Sequence, residues 1–499
     1  MAIFDQSQEL PLRVAPPKPT PPPGPGFPLK AALAFVVVAA SLAAWRYGVN
    51  KNQGLAPAIF AEAFRLHWPA PPAPPVPAHP AINPKVPAAS PFLVDDSQEL
   101  DPFFAALWKL EQNKGAGLVT ILHYGDSPTT ADLITGDIRA QLQSRFGDAG
   151  RGYTLIAKPW AWYGHRGVEI SDHGWKIRTS IGIIREGVYG LGGAAFEGQP
   201  GAWSKFRITE SQQTSAEIEY LAKPGGGAFE VEADGTQIIE QSTDADAQAA
   251  AFLHVSLPTG TKEVALRPTQ GTVTLFGIDF RRSSSGLLYD SLGLNGATTS
   301  VLARVLQPTI WKQELDHANP TLIIVNYGSN ESSFANWVHK QYAAELRLAI
   351  QRIRVAEPNV PILIMSPMDR GERSGLDNIE TMSTIPEIVA IQRQAAAESH
   401  CAFFDTYNAM GASGTMARWY AASPRLVTAD LLHPTPQGAT IVASIFVEQL
   451  SLRYDRWKMQ HGIALPAPPA PVAPKTAKVK VALHAHSDRR PRGKKAAAQ

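Results

Sequence analysis

Ser127 stands where an apolar run, Leu118 to His123, gives way to Tyr124-Gly125-Asp126-Ser127 and then to Pro128-Thr129-Thr130-Ala131-Asp132. The run predicts a buried strand that turns sharply and presents a serine hydroxyl at its C-terminal end, where the sites of open α/β sheets lie. Pro128 predicts a helix opening at this point, and a helix N-terminus behind the serine favours developing negative charge. Late in the chain Asp430 and His433 stand three apart, ahead of a helix-like stretch from Gln437 to Leu450. That spacing lets a carboxylate touch Nδ1 within one turn, fixing the tautomer and leaving Nε2 to take a proton from Ser127.

Pro128 excludes one kind of serine hydrolase. The G-x-S-x-G elbow builds its oxyanion hole with the N–H of the residue after the nucleophile. Proline has no N–H, and the second glycine of that motif is absent. A hole at Ser127 therefore needs its own N–H and donors from elsewhere. A second strand-like run, Thr321 to Asn326, ends in Tyr327-Gly328-Ser329-Asn330-Glu331, which suits a tight turn with the Asn330 amide facing the site. Between them lies Gly293-Leu294-Asn295-Gly296-Ala297, a turn able to aim a backbone N–H; Gly192-Gly193 is a second source of one.

These four pieces resemble the SGNH/GDSL hydrolase family. Gly125-Asp126-Ser127 is similar to its first block, Gly296 to its glycine block, Gly328-Ser329-Asn330 to its Gly-x-Asn block, and Asp430 with His433 to its Asp-x-x-His block. The resemblance implies Ser127 as nucleophile, His433 as base and Asp430 as its orienting partner. It implies an oxyanion hole of Ser127 N–H, Gly296 N–H and the Asn330 side chain. Glu331 stands where Asp is commoner, and the usual apolar residue after the serine is missing. Gly-Ser-Asn-Glu, with the run Arg145 to Gly152, resembles the subgroup of Gram-negative peptidoglycan O-acetylesterases and O-acetyltransferases. The likeness spans roughly residues 95–455, and its short blocks specify fold and triad far better than substrate.

Other residues invite blander readings. Gly-Asp-Ser alone is usually a surface turn and Asp-x-x-His alone an exposed loop; their joint order, each beside a strand or helix, carries the argument. His123, His165 and His173 lack metal-site spacing and are expected to be structural. Asp126 is expected to stabilise its turn. Cys401, the one cysteine, excludes an intrachain disulfide and sits in a strand-like stretch, so it is expected in the core. Neither metal nor organic cofactor is implied.

The elements that would hold these residues follow an α/β pattern. Thr129 to Phe146 predicts a helix, with Leu133, Ile134, Ile138, Leu142 and Phe146 on one face. Strand and helix signals alternate again from 321: strand 321–326, helix 335–356, strand 361–366, helix 385–399, strand 402–405 and helix 437–453. This is the doubly wound, flavodoxin-like pattern of parallel strands flanked by helices. Between them, residues 172–283 alternate with period two, and turns such as Asp234-Gly235 signal hairpins. An inserted β-sandwich is expected there, dividing the α/β domain into 95–171 and 284–458. By resemblance it is the jelly roll of the peptidoglycan O-acetylesterases, with Tyr189, Trp203 and Gly190 to Gly193 offering either a sugar surface or ordinary core and turns.

The chain has 499 residues and 42 prolines, which crowd into 16–28, 69–91 and 466–474 and predict extended spacers. Ala31 to Trp45 is uncharged and largely apolar between Lys30 and Arg46. It falls short of the ~20 residues of a spanning helix unless flanking residues are included (29–49) with their charges snorkelling. Cleavage after Ala43 would make it a signal peptide; the Pro-rich stretch ahead of it, 1–28, argues for an uncleaved anchor. The expectation is a single-pass inner-membrane protein with a Pro-rich linker over 50–94 and a periplasmic catalytic part. The tail 459–499 carries Arg489-Arg490-Pro491-Arg492 and Lys494-Lys495, which reads either as a solvated, disordered end or as a segment that holds the enzyme to anionic envelope polymer or lipid headgroups; no nucleic-acid module accompanies it. The expected activity is removal of O-acetyl groups from a cell-envelope glycan. The alternatives are O-acetyl transfer by the same triad, or an inactive glycan-binding scaffold of a polysaccharide synthesis or export machine.

Overall fold

The computed structural model describes residues 90–465 apart from 113–116, 183–186, 211 and 376–377. The expected anchor, the Pro-rich N-terminus, nearly all of the 50–94 linker and the basic tail beyond 465 lie outside the described residues. Among those described, no helix is long and apolar enough to cross a membrane.

A six-stranded sheet organises the α/β part. Its spatial order is Leu93–Val94, Ala402–Phe404, Ile362–Met365, Leu322–Asn326, Leu118–Gly125, Gly286–Gly293, parallel throughout except for the Leu93–Val94 edge. In chain order the five parallel strands run 2-1-3-4-5, the flavodoxin-like arrangement, with its switch point between the strands at 118 and 322. Near-continuous apolar runs such as Leu322 to Val325 form them because both sheet faces are covered. Ile121, Ile324, Leu363 and Phe404 face a core shared with the helices Asp101–Glu111, Ile134–Phe146 and Pro436–Gln460. Leu122, Ile323, Ile364 and Phe403 face the opposite core, against Pro308–Ala318, Ala343–Ala356 and Thr384–Glu398.

The expected helix from Thr129 to Phe146 is divided. One turn, Ser127–Thr130, is separated from Ile134–Phe146 by Asp132 at φ 53°. Helical periodicity cannot register this break, because its cause is a buried ion pair. Asp132 takes Arg139 Nη2 at 2.6 Å, Thr135 Oγ1 at 2.6 Å and the Arg166 N–H at 2.9 Å.

Residues 150–281 form two antiparallel sheets. One orders Thr236–Ser242, Ala228–Ala233, Glu263–Gln270, Trp203–Ile208 and Val168–His173. The other orders Ala249–Ser256, Ser215–Ala222, Val273–Arg281, Ala194–Gly198 and Lys176–Thr179, with Gly150–Leu155 also paired to Val273–Arg281. They share one apolar core, in which Phe206 meets Phe280 edge-on at 5.8 Å. Asp234 and Gly235, at φ 49° and 78°, make the two-residue hairpin that the sequence signals. The strands begin at Gly150 rather than 172. The first, Gly150–Leu155, is glycine-rich and lacks the alternation that marks a strand.

Candidate active site

Each chemically interesting residue follows a parallel strand or approaches that same end of the sheet. Ser127 follows the first parallel strand, Gly296 the second and Asn330 the third, so their loops surround the switch point. Gly125 allows the sharp turn into Ser127: a Cβ there would lie 2.3 Å from Thr129 Oγ1.

His433 reaches this point from a separate loop. Its Nε2 lies 2.7 Å from Ser127 Oγ, and its Nδ1 lies 2.7 Å from Asp430 Oδ2. The loop is held by Asp430 itself, whose Oδ1 accepts Thr428 Oγ1 at 2.6 Å and the N–H groups of Leu432 and His433 at 3.0 Å. Leu431, at φ 60°, closes the turn. Partial burial alone would raise the Asp430 carboxyl, but hydrogen bonds from Thr428, His433 and Leu432 outweigh it and hold the group well below the usual carboxylate range. Asp430 is therefore a fixed negative charge beside the imidazole.

The donor side is assembled from two loops. Asn330 Nδ2 donates to the Ala297 carbonyl at 2.8 Å, fastening the Asn330 loop to the turn that carries Gly296. Its second amide hydrogen is left available. Gly296 is exposed, sits at φ 77°, and its N–H makes no hydrogen bond among the described residues. Gly192 and Gly193 are different: the Gly192 N–H donates to Tyr153 Oη at 3.3 Å and the Gly193 N–H to Gly190 O at 2.9 Å. Of the two glycine turns, the one at 296 has the open donor. At Ser127 the helix ends after one turn, so its dipole contributes little; the Ser127 N–H itself remains, one of the donors a first turn leaves without an intrahelical acceptor.

Behind the serine, Asp126 is buried, and burial followed by repulsion from Glu331 pushes its carboxyl up to about 7. Ser329 beside it acts in the opposite sense, and Asp126 Oδ2 has no hydrogen-bond partner among the described residues. Glu331 accepts Thr299 N and Oγ1, each at 2.8 Å, and the Gly328 N–H at 3.1 Å. Arg370 escaped the sequence reading. Its Nη1 donates to Ser329 O at 2.7 Å, Ser332 Oγ at 2.9 Å and Ser333 Oγ at 2.8 Å, and its charge acts on Asp126 and Asp430. Its place five residues past the strand Ile362–Met365, at the sheet's C-terminal end, was the available signal.

The remaining residues are structural. His123 Nδ1 lies 2.7 Å from Tyr289 Oη, and burial pulls both His123 and His165 down to about 4. His173 lies against Trp203 at 6.2 Å. Among the described residues no group of three or more His, Cys, Asp or Glu could hold a metal ion. Burial pushes the Cys401 thiol up to about 12, so it is an unreactive core group. Tyr189 is 1% exposed, which removes it from a sugar surface. Gly190 lies against Phe276, where a Cβ would come within 2.3 Å, so that glycine serves close packing.

Residues 267–441 match the GDSL-like Lipase/Acylhydrolase family. That stretch contains Gly296, Asn330, Asp430 and His433 and begins after Ser127. In fold the chain is similar to a peptidoglycan O-acetylesterase, with a TM-score of 0.63 and 21% identity over 73% of this chain and 99% of that one. More distant are a salicylyl-acyltransferase of a tetracycline biosynthetic pathway (TM-score 0.27, 14% identity, 60% and 97% covered) and a family two carbohydrate esterase from Clostridium thermocellum in complex with cellohexaose (0.24, 12%, 58% and 100%). No curated protein matches the chain.

Proposed function

We propose that this chain, which carries a GDSL-like domain and shares its fold with a peptidoglycan O-acetylesterase, is a carboxylic ester hydrolase of the SGNH type that removes O-acetyl groups from a cell-envelope glycan through a serine acyl-enzyme. The observation that carries this is the relay from Asp430 through His433 to Ser127, with 2.7 Å at each step. Ser127 Oγ attacks the acetyl carbonyl carbon as His433 Nε2 takes its proton. The Ser127 N–H, the Gly296 N–H and the second hydrogen of Asn330 Nδ2 stabilise the oxyanion. The C–O bond to the sugar breaks, and His433 returns the proton to the departing sugar oxygen. Water then gives its proton to His433 and attacks the acetyl-serine. Acetate leaves and Ser127 recovers its hydrogen.

The choice of a glycan is supported by the fold shared with a peptidoglycan O-acetylesterase and by the two antiparallel sheets of residues 150–281, which we read as an inserted sandwich. The apolar 29–49 segment would place this chemistry outside the cytoplasmic membrane. The test is acetate release from a panel of O-acetylated peptidoglycan, cellulose and other exopolysaccharides. Each is run with and without an unacetylated acceptor, so that transfer is separated from hydrolysis. Acetate release from one glycan, abolished in Ser127→Ala, is the expected result. Hydrolysis of small esters with no glycan cleaved removes the glycan reading, and acetyl transfer exceeding release makes the enzyme a transferase.

A further inference from the structure

Two aromatic residues just past Asn330 have no part in the relay. Phe334 is 61% exposed, and Trp337 is half-buried. A single exposed ring is ordinary on a protein surface, but this one is displayed by a fixed backbone. The Phe334 N–H donates to Glu331 O at 2.9 Å, and Phe334 O accepts Trp337 N at 2.9 Å and Val338 N at 3.0 Å. Thr384 Oγ1 holds Ser332 O at 2.7 Å, and Arg370 binds the Ser332 and Ser333 hydroxyls. The Trp337 ring is set against buried Tyr342 at 5.6 Å. The two rings are therefore presented at little further conformational cost.

They wall a cavity of about 220 Å³ together with Thr298, Ser300 and Glu331. Thr298 and Ser300 follow Gly296, and Glu331 follows Asn330, so the cavity lies between the two segments that supply the assigned oxyanion donors. The Thr298 and Ser300 hydroxyls make no hydrogen bond to protein among the described residues. Glu331 is committed to Thr299 and Gly328. The volume is below the ~300–1,000 Å³ of a drug-sized ligand pocket, which suits one ring rather than an oligosaccharide. Aromatic faces beside free hydroxyls match the two-sided chemistry of a pyranose, whose C–H face is apolar and whose rim is hydroxylated.

We propose that this cavity is a sugar subsite: one pyranose ring of the glycan packs on Phe334 and Trp337, its hydroxyls meet Thr298 and Ser300, and the ester is thereby held at Ser127. This rests on the glycan reading above. The test compares wild type, Phe334→Ala and Phe334→Trp on 4-nitrophenyl acetate, 4-nitrophenyl hexanoate and an O-acetylated β-1,4-linked N-acetylhexosamine oligosaccharide. Calorimetry with the unacetylated oligosaccharide accompanies the kinetics. Phe334→Ala is expected to raise KM for the acetylated oligosaccharide roughly tenfold, leaving 4-nitrophenyl acetate unchanged, with Phe334→Trp restoring it. Equal KM in wild type and Phe334→Ala overturns the subsite and leaves glycan deacetylation standing. A loss confined to the hexanoate makes the cavity an acyl pocket and also overturns it. If wild type cleaves small esters but no acetylated oligosaccharide, the glycan reading fails; calorimetric binding lost in Phe334→Ala then sustains the subsite, and absence of binding in wild type overturns both.

Discussion

Glu331 Oε1 accepts the N–H and the hydroxyl of Thr299, each at 2.8 Å, so one buried carboxylate joins two strand-end loops 32 positions apart in sequence. Its other oxygen takes the Gly328 N–H. Glu331 thus ties the turn that carries Gly296 to the loop that carries Asn330. Glu331→Ala would leave two buried N–H groups without acceptors, at about 1–3 kcal/mol each. It is expected to lower both Tm and kcat on 4-nitrophenyl acetate, with Glu331→Gln intermediate in each. Full activity in Glu331→Ala would show that the two loops hold their places without it.

The donors themselves separate by variant. Asn330→Ala removes a side-chain donor and is expected to cost on the order of 10²–10³ in kcat with KM little changed. Gly296→Ala has room, since the nearest atom to the new Cβ is Ile181 Cγ2 at 3.6 Å, but φ 77° strains any L-residue. A modest stability loss with a clear kcat loss is the expected outcome. Alanine keeps the N–H, so kcat retained while Tm falls would remove the expected link between the backbone conformation at 296 and turnover.

Asp430 offers a test through charge. Because its carboxyl lies below the usual range, its protonation cannot shape the acid limb of kcat/KM anywhere above the ordinary carboxylate pKa. Asp430→Asn keeps the shape and removes the charge beside Nδ1. It is expected to lower kcat by up to about 10⁴, the cost when a triad aspartate is neutralised. The variant's pH profile is the second readout: an unchanged acid limb would mean that His433 does not sense residue 430.

Much of this was legible in sequence because it is local. The apolar runs, Gly-Asp-Ser, Gly-x-Asn and Asp-x-x-His are short signals whose meaning needs only a strand or a helix beside them. What was not legible depends on long-range burial. The break at Asp132 needs Arg139 and Arg166. Strand Gly150–Leu155 is defined by its partner Val273–Arg281 rather than by its own pattern. Arg370 has no motif around it, and its role exists only because the chain brings Ser329 and Ser332 to its guanidinium. The exposure of Phe334 likewise could not be told from core burial by residue type.

The last test concerns Glu219, Asp279, Asp290 and Glu314, which are all buried near one another. The titratable groups facing them are Glu217, Arg281, Arg139 and His317, and two arginines are too few for that many carboxylates. Burial, followed by repulsion from neighbouring carboxylates, raises the carboxyls of Glu219 and Asp290; burial raises Asp279 against the attraction of Arg281, and it raises Glu314, neither of whose oxygens has a hydrogen-bond partner among the described residues. Raised acids in the folded state hold protons that the unfolded chain releases. Their contribution is therefore fully present below the ordinary carboxylate pKa and is lost as pH rises toward 7 for Glu314 and 8 for Asp290. Denaturant or thermal unfolding should show stability falling between about pH 5 and 8, by an amount on the order of a few kcal/mol. Glu314→Gln, which keeps a hydrogen-bonding group without the charge, is expected to flatten that slope and to raise Tm at pH 8 while leaving kcat on 4-nitrophenyl acetate unchanged. A slope as steep in the variant as in wild type would mean that the proton is held elsewhere in the cluster.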